Sequence, residues 1–211
     1  MPYSILIADD HSIIRSGIRS LIKTSLGITK IDEAANEREI AEKVKGRSYK
    51  LIFLDINMPG SDFVSMMSWL RTTTPETHIL VFTTYPEDIY GKRALQLGAR
   101  GFLRKTATNE EILRAFKTVL SDKIYINDEL QGLLAGAGDA DKQANPFDRL
   151  SARELEIALL IHKGRSLPEI CQLLNIQYST ANAYKGKIFE KLEVHNAVTL
   201  SRLIKTFRVE G

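Results

Sequence analysis

Two short runs, Leu51-Ile52-Phe53-Leu54 and Ile79-Leu80-Val81-Phe82, are apolar at every position. A strand sends alternate side chains to opposite faces of its sheet, so a run with no polar alternate can meet water on neither face. Strands of that kind need helices on both sides, as at the centre of a parallel sheet. The flanking pattern agrees. Strands are predicted over Ser4–Ala8, Lys30–Ala34, Leu51–Leu54, Ile79–Thr83 and Gly101–Arg104. Between them, apolar residues recur at three- and four-residue spacing, first at Ile13, Ile14, Ile18, Leu21 and Ile22 and later at Ile112, Leu113, Phe116, Val119 and Leu120. Alternating β and α segments imply a doubly wound α/β domain.

The remainder is organised differently. Gly, Ala, Asp, Lys, Gln and Asn fill Leu134 to Pro146 without apolar periodicity, which marks a linker, and a short tethering helix is expected ahead of it over Ile126–Leu134. Beyond Pro146 the pattern is all-helical. Ser151 with Glu154 makes a capping box, Lys163-Gly164 a stop, Ser166 a second cap, Asn175 to Gln177 a tight turn, and Asn196 a cap for a fourth helix. Four helices with one very short turn fit a helix-turn-helix. The expected division is 1–122, a linker over 123–146, and 147–211.

Composition narrows the function classes. With 211 residues, 44% of them hydrophobic, the chain has room for two domains, and no apolar run approaches the roughly 18 to 20 residues that span a bilayer. The expectation is a cytoplasmic protein without a membrane partner. A single cysteine, Cys171, excludes an intrachain disulfide and reads as core filler. Residues 1–145 hold 19 Lys and Arg against 19 Asp and Glu, whereas 146–211 hold 10 against 7, so the net +3 lies at the C-terminal end. That excess favours a phosphate-bearing partner only weakly.

Functional groups of a doubly wound sheet gather beyond the C-terminal ends of its strands. Here the predicted strands end in Asp9-Asp10, Asp55, Thr83 and, just past the fifth, Lys105. With strand order 2-1-3-4-5 the three carboxylates converge, and a hard, oxygen-only site of this charge suits Mg²⁺. Thr83 offers a hydroxyl and Lys105 a mobile ammonium for a phosphoryl group. His11 reads as a loop residue, and His78, His162 and His195 are isolated from other ligand types.

Asp9-Asp10, Asp55-Ile56-Asn57-Met58-Pro59-Gly60, Thr83 and Phe102-Leu103-Arg104-Lys105 stand at the spacing of the response-regulator receiver family, which residues 1 to 122 resemble. The resemblance implies a flavodoxin-like (βα)5 fold and a phosphoryl group taken by Asp55 from a sensor histidine kinase. It also implies Mg²⁺ held by Asp10, the Asp55 side chain and the Asn57 backbone carbonyl, with Asp9 acting through water. Thr83 and Phe102 become a switch pair that alters dimerisation or release of the second domain. Two positions depart from the family: Thr106 stands where many receivers have a proline with a cis bond, and Ser61-Asp62-Phe63 replaces the usual Asp-Gly.

Leu150-Ser151-Ala152-Arg153-Glu154-Leu155-Glu156, Gly164-Arg165-Ser166, Glu169-Ile170, Thr180-Ala181 and Lys191-Leu192-Glu193-Val194 resemble the helix-turn-helix domain of the NarL, FixJ and LuxR group. In the third helix, Ala181, Tyr184, Ile188 and Leu192 should face the core. Ser179, Asn182, Ala183, Gly186 and Glu190 then lie on the outer face, with Lys185 and Lys187 at its flanks. In this motif the third helix enters the major groove of double-stranded promoter DNA, where Asn pairs with adenine and Ala meets a thymine methyl. Asn182, Ala183 and Gly186 are the candidate base readers, and Lys185, Lys187 and Lys191 the phosphate contacts. Relatives often carry a basic residue at Asn182 or Gly186. Gly186 reads equally as close backbone approach to DNA or as a tolerated surface glycine.

The leading expectation is a DNA-binding response regulator that dimerises when phosphorylated, and not an enzyme. Aspartyl-phosphate hydrolases resemble Asp-x-Asp at the nucleophile, and Asp55-Ile56-Asn57 lacks the second carboxylate. An interaction adaptor with the same two folds is the other rival, because the third helix is only modestly basic.

Overall fold

The computed structural model describes residues 3–58, 61, 63–85, 87–128, 130–132, 146–206 and 209. Pro59, Gly60 and Asp62, and the linker residues 133–145, lie outside them. The chain divides into two units, Met1–Gly136 and Ala137–Gly211.

In the first unit, β1 (Ser4–Ala8), β2 (Lys30–Ala34), β3 (Leu51–Leu54), β4 (His78–Thr83) and β5 (Gly101–Arg104) form one parallel sheet of order β2-β1-β3-β4-β5. Helices α1 (Ser12–Leu26), α2 (Glu37–Gly46), α3 (Phe63–Thr73), α4 (Glu87–Gln96) and α5 (Asn109–Leu120) alternate with the strands. Both doubly apolar runs are central, and every residue of β3 and β4 is buried. Alternation divides their side chains between two cores. Ile7, Phe53, Phe82 and Leu103 meet Ile18 and Ile22 of α1 and Ile112 and Phe116 of α5. The Phe53 ring stands 4.7 Å from Phe82 and 5.0 Å from Phe116, centroid to centroid, within the range of favourable aromatic pairs. Thr83 and Phe102 fall on the opposite face.

The segment after α5, expected as a linker that carries a short tethering helix, packs back onto the first unit. Asp122, at φ 63°, takes Lys50 and His78 onto one carboxylate. The Tyr125 amide then donates to the Arg100 carbonyl at 2.8 Å and bridges Gly101 at the sheet edge. Asn127 donates to Glu87 of α4 at 2.9 Å, and fully buried Leu130 lies against Gly91. A Cβ at Gly91 would stand 2.9 Å from Leu130 Cδ1, so the close approach depends on glycine. Apolar burial of Tyr125 and Leu130 gives this return its driving force. The tethering helix expected over 126–134 is described as helical at 128 and 130–132.

The second unit opens with a short 3₁₀ turn, Pro146–Arg149, followed by α6 (Ala152–His162), α7 (Leu167–Leu174), α8 (Tyr178–Lys191) and α9 (Ala197–Thr206). Each predicted cap is in place. Ser151 and Glu154 form the reciprocal box, the Glu169 carboxylate accepts from the Ser166 amide at 2.8 Å, and Asn196 accepts from the Thr199 amide at 2.9 Å. Asn175, in the left-handed region at φ 49°, makes the sharp turn from α7 into α8. Cys171 is half-buried. Among the described residues, no helix is long and apolar enough to cross a membrane.

Candidate functional site

The sheet's hydrogen bonds continue one residue past the strand ends and place the acidic groups. The Asp9 amide donates to Ala34, the Asp55 amide to Ala8 and the Lys105 amide to Thr83, at 3.1, 2.8 and 2.8 Å. All three side chains leave from one edge of the sheet. The Lys105 ammonium sits between Asp9 Oδ2 and Asp55 Oδ2, 2.7 Å from each. Asp9 and Asp55 are buried, and Asp10 is about a quarter exposed at 26%.

Burial pushes the Asp55 carboxyl above the usual carboxylate range, against the attraction of Lys105 and the Asn57 amide, which donates to Asp55 Oδ1 at 2.8 Å. The nearby charge of Asp9 adds to the rise. For Lys105 burial acts downward, but the attraction of Asp55 and Asp9 outweighs it and holds the ammonium above its ordinary value. One ammonium is thus the shared counter-ion of two buried carboxylates. Three carboxylates and His11 each offer a ligand atom, all within 4.8 Å of one another. Asp9 Oδ2 meets the Lys105 charge and Asp10 Oδ1 meets His11 Nδ1 at 2.8 Å, but neither oxygen accepts a well-directed hydrogen bond. Oxygen donors with unmet capacity, open on the Asp10 side, fit a hard divalent cation.

Thr83 is fully buried, its Oγ accepting from the Tyr85 amide at 3.4 Å, and the Phe102 ring is fully buried on the same face of the sheet. No cis peptide bond occurs among the described residues, including the one entering Thr106. Three further residues shape the pocket without having been anticipated. The Tyr85 hydroxyl donates to Asn57 Oδ1 at 2.7 Å while its ring stacks on Tyr90 at 4.5 Å. Arg15 ties α1 to the Asp9 carbonyl at 2.7 Å. The His11 amide and Nδ1 both contact Asp9 Oδ1, at 2.8 and 3.1 Å. Only His11 carried a signal, its adjacency to the acidic pair.

In α8, Ala181, Ile188 and the following Leu192 are buried, and Tyr184 is half-buried. Ser179, Asn182, Ala183, Gly186 and Lys187 are exposed together, as the periodicity requires. A Cβ at Gly186 would meet nothing within 4 Å, so packing within the chain does not demand glycine there. Two of the three lysines are engaged. Lys185 Nζ lies 5.4 Å from the Phe189 ring centroid, and Lys191 Nζ is 2.6 Å from Glu154 Oε2, a carboxylate only 4% exposed.

Comparison with known proteins covers both units. Residues 5–117 match the family model described as the response regulator receiver domain, and residues 148–204 match that of bacterial regulatory proteins, luxR family. Response regulator UvrY of Shigella flexneri is 31% identical over 201 residues, covering 95% of this chain and 92% of that one. The oxygen regulatory protein NreC of Staphylococcus carnosus is 32% identical over 197 residues, covering 90% and 91%. Among solved structures, RcsB of Salmonella enterica serovar Typhimurium, bound to the promoter rprA, shares the fold with a TM-score of 0.60 at 22% identity, covering 97% and 99%.

Proposed function

The chain belongs to the two-component response regulators that join a receiver domain to a LuxR-type helix-turn-helix domain, and on that premise we propose that phosphorylation of Asp55 gates DNA reading by α8. The observation that carries this is the Lys105 ammonium held 2.7 Å from both Asp9 and Asp55, a preformed cationic partner for charge arriving at Asp55. A carboxylate oxygen of Asp55 attacks the phosphorus of the kinase phosphohistidine. The new O–P bond forms as the P–N bond breaks, and the imidazole leaves with the electron pair.

Asp10, the Asp55 side chain and the Asn57 carbonyl would hold Mg²⁺, with Asp9 reaching it through water, and the ion supplies neutralisation of the phosphoryl oxygens. Lys105 transfers its hydrogen bond from Asp55 to a phosphoryl oxygen. The Thr83 hydroxyl donates to another, and Phe102, on the same face, follows into the space this vacates. Such a shift alters the surface of α4, β5 and α5, promoting homodimerisation or domain release.

Asn182, Ala183 and Gly186 are the base readers, with Ser179, Lys185 and Lys187 alongside, and double-stranded promoter DNA is the partner. RcsB solved on promoter DNA supports this reading of the shared fold. A kinase phosphodonor and a chromosomal target place the protein in the cytoplasm, acting as a transcription regulator and not as a turnover enzyme.

The test treats the chain with a small-molecule phosphodonor and Mg²⁺, then measures binding to a duplex enriched from random DNA. Wild type gains a phosphoryl group and affinity, whereas Asp55→Ala gains neither. Equal affinity of Asp55→Ala and phosphorylated wild type for that duplex would refute the gating.

A further inference from the structure

We propose that Lys191 is a positioning residue and not a phosphate contact: with Glu154 and Arg153 it ties the last turn of the reading helix, and the end of the helix that leads into it, to α6, fixing the angle at which Asn182, Ala183 and Gly186 meet DNA. This rests on the DNA-reading assignment above and refines it. Glu154 is 3% exposed, and its Oε2 accepts from the Ser151 amide at 2.7 Å and from Lys191 Nζ at 2.6 Å. One buried oxygen therefore completes the cap of α6 and holds the last turn of α8. The neighbouring Arg153 donates from Nη2 to the Leu174 carbonyl at 2.9 Å, at the end of α7 where the turn into α8 begins. Its Nη1 donates to Glu156 Oε2 at 2.7 Å.

Two consecutive residues of α6 thus grip the chain just before α8 and at its end. A buried carboxylate strongly favours keeping its cation, because a carboxylate left without one in low dielectric is costly. Lys191, with 40% of its side chain exposed, thereby spends its ammonium on Glu154 and not on the phosphates that a free lysine at the flank of the helix would reach. Lys187, exposed and outside this clamp, is the contrast.

Salt dependence separates the roles. Each phosphate contact contributes about −0.9 to the slope of log K against log salt, whereas an orienting residue contributes nothing to it. The experiment uses the full chain, phosphorylated, with a duplex enriched by wild type from random DNA and an unselected duplex as the nonspecific reference. Lys187→Met should lower the slope by about one contact on both duplexes. Lys191→Met should leave the slope unchanged and cut the ratio of selected to unselected affinity by roughly tenfold, a loss comparable to one misplaced base contact. Lys191→Arg, which can still reach Glu154, should restore the ratio. If Lys191→Met leaves Glu154 uncompensated and unfolds the domain, the pair Glu154→Gln with Lys191→Met removes both charges and should show the same loss of ratio at unchanged slope. A slope lowered by Lys191→Met with the ratio preserved, or no change in either, would overturn the clamp. Wild type that enriches no sequence and shows no salt dependence would instead overturn the DNA-reading assignment itself.

Discussion

At the scale of single residues, the pocket stores electrostatic tension that its ligand relieves. Asp55 has its proton affinity raised chiefly by burial, so the folded state disfavours its charge relative to the unfolded chain. Its contribution to stability is full below the unfolded value near 3.8 and is lost as pH rises from there through the raised folded value. Asp55→Asn should therefore raise the midpoint of thermal unfolding at neutral pH, and the gain should shrink as the buffer is taken toward pH 4. A variant no more stable than wild type at pH 7 would show that Lys105 and Asn57 fully offset the burial. Lys105 has the same sign in a higher pH window, although its charged form is the one the fold favours. Its raised value adds stability below about 10.5 that is lost as pH climbs through the folded value. Lys105→Met leaves Asp9 and Asp55 facing each other uncompensated, at a cost of about 3–5 kcal/mol. Millimolar Mg²⁺ should recover part of that in urea unfolding and stabilise the variant more than wild type, since the cation then enters an unscreened field. Asp9, Asp55, Thr83 and Lys105 were legible from sequence because strand ends in a parallel sheet converge. Tyr85 and Arg15 were not, and His11 only through its adjacency to the acidic pair, because their parts depend on where a side chain points after its backbone is placed.

At the scale of elements, periodicity located the five strands and the caps of the second unit, since burial on both faces and capping leave local marks. The return of the segment after α5 onto the sheet left no such mark. A short helix was expected over 126–134, but its packing was not, and only the tertiary surface of α4 and β5 decides which residues are buried: Tyr125 and Leu130 are, while Ile124 is half exposed at 50%. The segment is held by a few specific contacts, and these are separable. Leu130→Ala removes a buried leucine, a change worth about 2–5 kcal/mol where it can be fully felt. Gly91→Ala pushes a methyl into the same contact. Either variant should speed hydrogen exchange at the Tyr125 amide, which is bonded to Arg100, while the amides of β3 and β4 keep wild-type protection. Equal protection of Tyr125 in both variants would mean that the Gly101 bridge and the Asp122 anchor hold the segment without Leu130.

For the molecule as a whole, that return segment packs with the first unit, Met1–Gly136, and not as a separate connection. This matters because the segment touches α4 and β5, the part of the surface that the proposed phosphorylation response would change. Phosphorylation that displaces α4 would act on the contacts of Asn127 with Glu87 and of Leu130 with Gly91, and so on the packing of this segment. Two fragments test whether the segment is part of the receiver or merely follows it. Residues 1–136 should unfold in one cooperative transition and accept a phosphoryl group from a small-molecule donor. Residues 1–122 lose Tyr125 and Leu130, whose burial is worth about 1.5–3 kcal/mol each, and uncover the Gly101 edge and the Leu130 side of α4. The shorter fragment should melt lower and bind a hydrophobic dye that the longer one excludes, yet still be phosphorylated at Asp55, since Asp9, Asp55, Thr83 and Lys105 all precede the cut. Equal melting temperatures would return the segment to the role of a plain tether, and loss of phosphorylation in the shorter fragment alone would make it a support of the pocket itself.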